Sequence, residues 1–123
     1  MTDISAVNLA KEFQHLMTDP RSIAALDVAE KYGRGEATGD EFLAARKSAW
    51  DAAHNAGQNS VKAWEAAWSL QNSTSASDAE KEAAWNRSLA AAWDSSYANA
   101  AAFAMDGKIS EGLQAAIRAR GEP

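Results

Sequence analysis

The hydrophobic positions along this chain recur every three or four residues, and no segment alternates with a period of two. This spacing is typical of amphipathic α-helices and excludes half-buried strands. It predicts a first helix over about residues 5–18, a second from Pro20 to Gly33 or Gly35, a third from about residue 39, a fourth from Asp78 to Met105 and a last short helix. We therefore predict an all-α fold, a bundle of about five or six helices in a single domain that spans residues 1–123.

Start and stop signals support these boundaries. Asp19 is a good N-cap for a helix that begins with Pro20, because proline lacks only an N–H that would be unpaired there. The segments Thr38-Gly-Asp-Glu41 and Ser77-Asp-Ala-Glu80 both match the capping box. Asp106-Gly107 is expected to end the fourth helix, and Ser110 to cap the last one.

The third and fourth helices are predicted to be joined by a polar loop and to carry most of the inward-facing aromatic residues. Residues 57–60 (Gly-Gln-Asn-Ser) weaken the third helix, and the sequence leaves open whether the chain kinks or turns there. A polar loop is expected at residues 72–77, and the fourth helix is predicted to be the longest. The positions predicted to face inward are Leu43, Ala45, Ala49, Trp50, Ala53, Val61, Trp64 and Trp68 in the third helix, and Trp85, Leu89, Trp93, Ser96, Ala100 and Phe103 in the fourth.

Alanine dominates the hydrophobic fraction of 46%, and five tryptophans supply most of the bulk. Small residues let helices approach closely, and a buried indole removes about 150–250 Å² from water, so the tryptophans are interpreted mainly as core filler. Their N–H groups would need partners such as Ser96. The alternative is a binding surface, because tryptophan is enriched in interface hot spots. The candidate partner- or ligand-binding residues are Trp64, Trp68, Trp85, Trp93, Tyr97 and Arg46.

The net charge of -5 argues against direct binding to nucleic acid or to an anionic membrane. It leaves open a basic partner, or mimicry of nucleic acid that blocks a nuclease. The chain has no cysteine, which suits a reducing compartment. The sequence shows no signal peptide and no apolar run long enough to span a membrane. We therefore predict a cytoplasmic protein.

The sequence offers little for catalysis. Its two histidines follow a carboxylate at a spacing of three, as Glu12-x-x-His15 and Asp51-x-x-His54, a pattern known from di-metal bundles. The first pair lies on the polar side of its helix, and Asp51 points away from the apolar stripe, so no metal site is predicted. Serines are assigned to caps, and no phosphate-binding loop is present. We predict no cofactor and no enzymatic activity.

The segment from Asp19 to Thr38 (DPRSIAALDVAEKYGRGEAT), followed by Glu41-Phe-Leu-Ala-Ala-Arg46 and the alanine–tryptophan tract, resembles the Imm-5-like immunity-protein family, alanine-rich helical proteins of bacteria and phages. The likeness covers roughly residues 15–105. It implies a non-catalytic helical protein that binds and neutralises a protein partner, either a toxin or a component of a host defence system. A phage-encoded member would act as an inhibitor of that defence.

Two other functions fit the same residues. A tryptophan-lined pocket could hold a small molecule or nucleotide, so that the protein acts as a sponge. A tryptophan stripe on a thin bundle could instead seal a homodimer, which would make the protein a structural homo-oligomer.

Overall fold

The computed structural model describes residues 5–121, which form five α-helices and one short 3-10 turn, with no strand in that range. The prediction of an all-α fold is confirmed. The elements are α1 (Ser5–Lys11), the 3-10 turn (Gln14–Leu16), α2 (Pro20–Gly33), α3 (Gly39–Gln71), α4 (Asp78–Met105) and α5 (Glu111–Gly121).

The predicted helix starts are confirmed by their hydrogen bonds. The Asp19 carboxylate accepts from the N–H of Arg21 at 2.9 Å, at the start of α2. Both capping boxes are complete, at the first turns of α3 and α4. In the second box the Ser77 hydroxyl accepts from the N–H of Glu80 at 3.1 Å, and the Glu80 carboxylate accepts from the N–H of Ser77 at 3.3 Å. These contacts pair backbone groups that a bare helix end leaves unpaired.

Two predicted helix lengths are wrong. The first helix stops at Lys11, because the next N–H groups bond three residues back instead of four, with Phe13 donating to the carbonyl of Ala10 at 3.0 Å. Moreover, α3 is longer than α4, at 33 residues against 28. Residues 57–60 do not interrupt α3, which runs as one helix from Gly39 to Gln71. Packing along α4 outweighs the cost of about 1 kcal/mol for a glycine within a helix.

The helices α3 and α4 form an antiparallel hairpin whose contact surface consists mainly of alanine and serine. In α4 the positions that face α3 repeat at intervals of three and four residues, the period of a coiled-coil seam. We call this contact surface the seam. Helical spacing and burial assign to it Phe42, Ala45, Ala49, Ala53, Ala56, Ser60, Ala63, Ala67 and Leu70 in α3, and Lys81, Ala84, Ser88, Ala91, Ser95, Ala98, Ala102 and Met105 in α4.

The smaller helices cover one part of this hairpin. Helix α2 packs on both α3 and α4, α1 packs on α2 and α4, and α5 contacts α4. The core of buried residues includes Leu26 and Ile117, and it extends along α3 only as far as Ala56. On α4 it begins at Trp93. Residues 57–92 therefore form a two-helix arm in which each helix is supported by the other.

The interpretation of the tryptophans as core filler is wrong for Trp64 and Trp68, whereas Trp50 and Trp93 are partly buried against the core. None of the five is fully buried among the described residues, and Trp64 and Trp68 are 50% and 51% exposed. Small residues allow two helices to approach closely, and no tryptophan occupies a seam position. The largest fully buried side chains are Leu26, Ile117 and Ser22.

Candidate functional site

The residue that follows each seam position points to one common side of the hairpin. One residue advances an α-helix by 100°, and in an antiparallel pair this rotation carries both helices toward the same side. We call this side the open face. Its residues are Leu43, Arg46, Trp50, His54, Gly57, Val61, Trp64, Trp68 and Gln71 in α3, and Glu82, Trp85, Leu89, Ala92, Ser96, Asn99, Phe103 and Asp106 in α4.

Contacts between the two helices support this assignment. The Trp50 and Phe103 rings meet edge to face, with 5.0 Å between their centroids. The Trp85 indole N–H donates to the Gln71 side-chain oxygen at 3.1 Å. A third contact is the ion pair between Arg46 and Asp106, which lies at the end of the hairpin opposite to Trp85. The open face is thus one surface that both helices share along their length.

The open face holds every large hydrophobic side chain that is exposed in the described part of the chain. These are Leu43 (61%), Val61 (57%), Trp64 (50%), Trp68 (51%), Leu89 (59%) and Phe103 (41%). Single exposed hydrophobic residues are common on monomers, but a row of them on one side marks an interaction site. The prediction that Leu43, Leu89, Phe103 and the Val61–Trp64–Trp68 stripe face inward is therefore wrong.

Two tryptophans form the most prominent feature of the arm. The Trp64 and Trp68 rings are stacked, with 5.8 Å between their centroids and an angle of 3° between their planes. Their separation of four residues places them on successive turns of α3. Stacking fixes two half-exposed rings in one orientation, so a partner could contact them at little cost in side-chain entropy.

A shallow groove crosses the open face beside this pair. It has a volume of about 790 Å³ and is lined by Trp50, Ala53, Gly57, Val61 and Asn99, with Lys62 and Glu65 at its rim. The groove is open above Gly57, because a Cβ added at this position would meet no atom within 4 Å. The groove is open enough to take an apolar side chain from another molecule.

The six candidate residues predicted from the sequence lie in two different parts of the structure. It brings Arg46, Trp64, Trp68 and Trp85 to the open face. Trp93 packs against the core from the other side of α4, and Tyr97 is only 2% exposed, so both belong with the core.

The partners of the polar atoms also differ from expectation. The Trp85 indole bonds to Gln71, whereas the Ser96 hydroxyl donates to the carbonyl of Ala92 at 3.1 Å. The indole nitrogen of Trp50 is buried, and none of the described residues accepts from it. Arg46 is held by Asp106, a partner 60 residues away in the sequence.

Sequence reasoning missed Gly57, Leu89 and Phe103 as site residues. The sequence does contain a pattern that includes them, because each of these three residues comes directly after a small or apolar seam residue. Periodicity reveals two apolar stripes on such a helix, but it does not tell which stripe faces the neighbouring helix.

The histidines lie apart from metal-binding groups in the described range. The His54 ring nitrogen is 3.2 Å from the Gln58 amide, and Asp51 is paired with Lys47 at 3.0 Å. Within residues 5–121 no cluster of three or more His, Asp or Glu side chains could hold a metal ion. His15 is exposed on the 3-10 turn.

Comparison with family models, with curated proteins and with solved structures finds no match to this chain. The resemblance to the Imm-5-like family therefore stays a prediction. None of the described helices is both long and apolar enough to cross a membrane.

Proposed function

We propose that this chain is a non-catalytic binding protein that neutralises a protein partner by covering it with the open face. The observation that carries this proposal is that all the exposed large hydrophobic side chains described lie on one side of the α3–α4 hairpin, around the stacked Trp64 and Trp68. A shallow, elongated surface of this kind suits another protein better than a small ligand, which needs a concave site.

The partner is proposed to be a different protein with an apolar contact surface and a basic rim. The net charge of -5 favours approach of a basic molecule and opposes association with a second copy of this chain. A toxin or a component of a defence system would be such a partner. In this mechanism the open face blocks the partner's working surface by steric occlusion.

Within this surface the contacts have separate roles. Trp64 and Trp68 serve as the aromatic anchors, because large rigid side chains near the centre of an interface usually contribute most to affinity. The groove at Gly57 accepts an apolar side chain of the partner. Lys62 and Glu65 at the rim affect orientation and association rate more than affinity.

The test begins with capture of partners from the native host by the full chain, followed by reconstitution of the complex from purified components. The dissociation constant is then measured for the wild type, for the double variant Trp64→Ala/Trp68→Ala and for Gly57→Leu. We expect the double variant to bind at least about 30-fold more weakly, the loss of one hot spot. The exposed substitutions Asn8→Ala and Lys31→Ala, on α1 and α2, serve as controls and should bind like the wild type.

Gly57→Leu separates binding from stability. Leucine has a higher helix propensity than glycine, and nothing crowds its Cβ, so this variant should unfold at a higher temperature than the wild type. It should nevertheless bind more weakly, because its side chain fills the groove. If Gly57→Leu and the double variant both retain full affinity for the reconstituted partner, the open face is not the binding surface.

Sedimentation equilibrium tests the homodimer. A monomer at micromolar concentration agrees with a partner of a different kind. A wild-type dimer that dissociates in the double variant would replace the proposed inhibitor with a structural homo-oligomer.

A further inference from the structure

A polar cleft lies on the side of the hairpin away from the open face, where the segment before α2 meets the middle of α3 and α4. It has a volume of about 410 Å³, and its lining includes Asp19, Arg21, Ser22, Asn55, Asp94 and Tyr97. Tyr97 is 2% exposed, so this cleft reaches the core. None of the open-face residues lines the cleft, and Gln58 is the residue that lines both the cleft and the groove beside Gly57.

Ser22 is the first indication that the cleft holds a ligand. Ser22 is among the residues that line the cleft, it is 1% exposed, and its buried hydroxyl has no hydrogen-bond partner in the described part of the chain. Buried hydroxyl groups are nearly always paired with protein, water or ligand, because an unpaired one loses its hydration without compensation. The hydroxyl can donate one hydrogen bond and accept others.

Arg21, the arginine in this lining, is already engaged. Its Nε and Nη2 donate to the two carboxylate oxygens of Asp19 at 3.2 and 2.8 Å, and this bonding holds the pKa of Asp19 below its usual value. With the Asn55 amide turned so that its oxygen faces Arg21, that oxygen accepts from Nη1 and Nη2 at 3.3 and 3.1 Å. A phosphate or carboxylate ligand would have to displace Asp19.

Asp94 gives the cleft its net charge. Its carboxylate is half-buried and forms no salt bridge within residues 5–121, whereas Asp19 and Arg21 neutralise each other. The cleft therefore presents one uncompensated negative charge beside hydroxyl and amide groups. A half-buried carboxylate gains most from a cation that also donates hydrogen bonds.

We propose that the polar cleft binds a small primary amine, whose ammonium group pairs with Asp94 while a second polar group bonds to Ser22. The ligand is cationic, in contrast to a nucleotide. This site is separate from the open face, so the inference does not depend on the proposed protein partner.

Three four-carbon probes test the charge preference on the full-length wild-type protein, labelled with nitrogen-15 for NMR. Putrescine ends in amines, butanediol in hydroxyls and succinate in carboxylates. We expect putrescine to shift the amide signals of Ser22, Asn55 and Asp94 in a saturable manner, butanediol to bind at least about tenfold more weakly, and succinate to leave these signals unchanged.

Asp94→Asn and its control Glu82→Gln test where the ammonium group binds, and Ser22→Ala tests the second polar contact. Asp94→Asn preserves the shape of the side chain and removes its charge, so it should weaken putrescine binding at least about tenfold. Glu82→Gln, an equivalent change at an exposed position of α4, should bind putrescine like the wild type. Ser22→Ala should weaken binding by a smaller factor, without lowering the unfolding temperature, because it also removes the unpaired hydroxyl.

Three outcomes would overturn the proposal. The first is that no signal of the cleft moves at up to about 10 mM putrescine, which would mean that the cleft holds only water. The second is that succinate binds as tightly as putrescine. The third is that Asp94→Asn and Glu82→Gln bind putrescine equally. Because the probe series uses the wild type, the test stands even if a variant fails to fold.

Discussion

The two sides of the α3–α4 hairpin differ in the size of the side chains that they carry. On the covered side, where α1 and α2 pack, most buried positions of α4 are alanine, and Ala101 and Ala104 are at most 1% exposed. On the open face the exposed large hydrophobic side chains are tryptophan, valine, leucine and phenylalanine, at 41–61% exposure. Small residues thus fill most of the buried positions of α4, and large hydrophobic side chains stay exposed on the open face.

This difference shows that the largest hydrophobic side chains of a chain need not be the ones that its fold buries. Alanine in the seam and under α1 and α2 allows close backbone approach, and the stability of the fold comes from many short contacts between packed atoms. Large side chains on the open face contribute little to folding, because half of their surface remains in water. We therefore expect substitutions on the two sides to affect stability very differently.

The largest contrast is expected between two leucines. Leu26 in α2 is fully buried, so Leu26→Ala should lower the free energy of unfolding by about 2–5 kcal/mol through the cavity that it leaves. Leu89→Ala removes the same atoms from a residue that is 59% exposed, so it should change the free energy of unfolding by about 0.5 kcal/mol or less. Urea denaturation of both variants measures the difference. Equal losses would show that the open face is buried in solution.

Replacing alanine by leucine at a buried and at an exposed position should give the next largest difference in the free energy of unfolding. Ala101→Leu inserts a larger side chain at a position with no exposed surface, and overpacking should lower the free energy of unfolding by about 1–3 kcal/mol. Ala92→Leu makes the same change at an exposed position of the same helix, where about 0.5 kcal/mol or less is expected. Thermal unfolding followed by circular dichroism compares them. A stable Ala101→Leu protein would contradict the close approach of α1 and α2 to α4.

A smaller effect is expected from the cap at the tip of the arm. Ser77→Ala removes the hydroxyl that accepts from Glu80 and should cost about 1 kcal/mol. Because only α3 and α4 support each other there, the loss should appear mainly as faster amide hydrogen exchange in residues 78–92. Thr74→Ala, in the exposed loop before the cap, is the control and should leave exchange unchanged. Uniformly faster exchange throughout α4 would argue that the arm is not a separate unit.

The smallest effect concerns the ion pair that joins α1 to α2 on the covered side. The Asp27 carboxylate accepts from Lys11 at 2.8 Å and from Gln14 at 3.0 Å, and these bonds lower its pKa. A lowered folded-state pKa means that the contribution to stability is present above the unfolded pKa of about 3.9 and is lost as the pH falls through the folded value. The Asp27 side chain is 51% exposed, so screening limits this contribution to about 0.5 kcal/mol.

Asp27→Asn tests this assignment. Its free energy of unfolding should fall below that of the wild type at about pH 7, and the difference should narrow at about pH 3, below the unfolded-state pKa of about 3.9. Glu82→Gln should follow the wild-type curve at both pH values. A constant difference between Asp27→Asn and the wild type at all pH values would show that the charge of Asp27 is not the cause.

The candidate site was predictable from the sequence only in part. Trp64, Trp68, Trp85 and Arg46 follow from residue type, and the structure places them on one surface. Tyr97 shows the limit of this reasoning, because its aromatic ring suits a binding site and a core equally well, and the packing of α1 and α2 on α4 buries it. The polar cleft was not predictable, since Ser22, Asn55 and Asp94 come from three helices and none belongs to a motif.

The sequence by itself determined the helices and where they begin, because caps such as Asp19, Thr38 and Ser77 act within four residues of themselves. It also determined that the fold is all-α, since alanine and the period of the apolar positions both favour helices. The tertiary structure alone decided which stripe of each helix is buried. Two stripes one residue apart differ by 100° of rotation. Only the seam between α3 and α4, with α1 and α2 packed beside it, selects the small residues for burial and leaves Trp64 and Trp68 exposed.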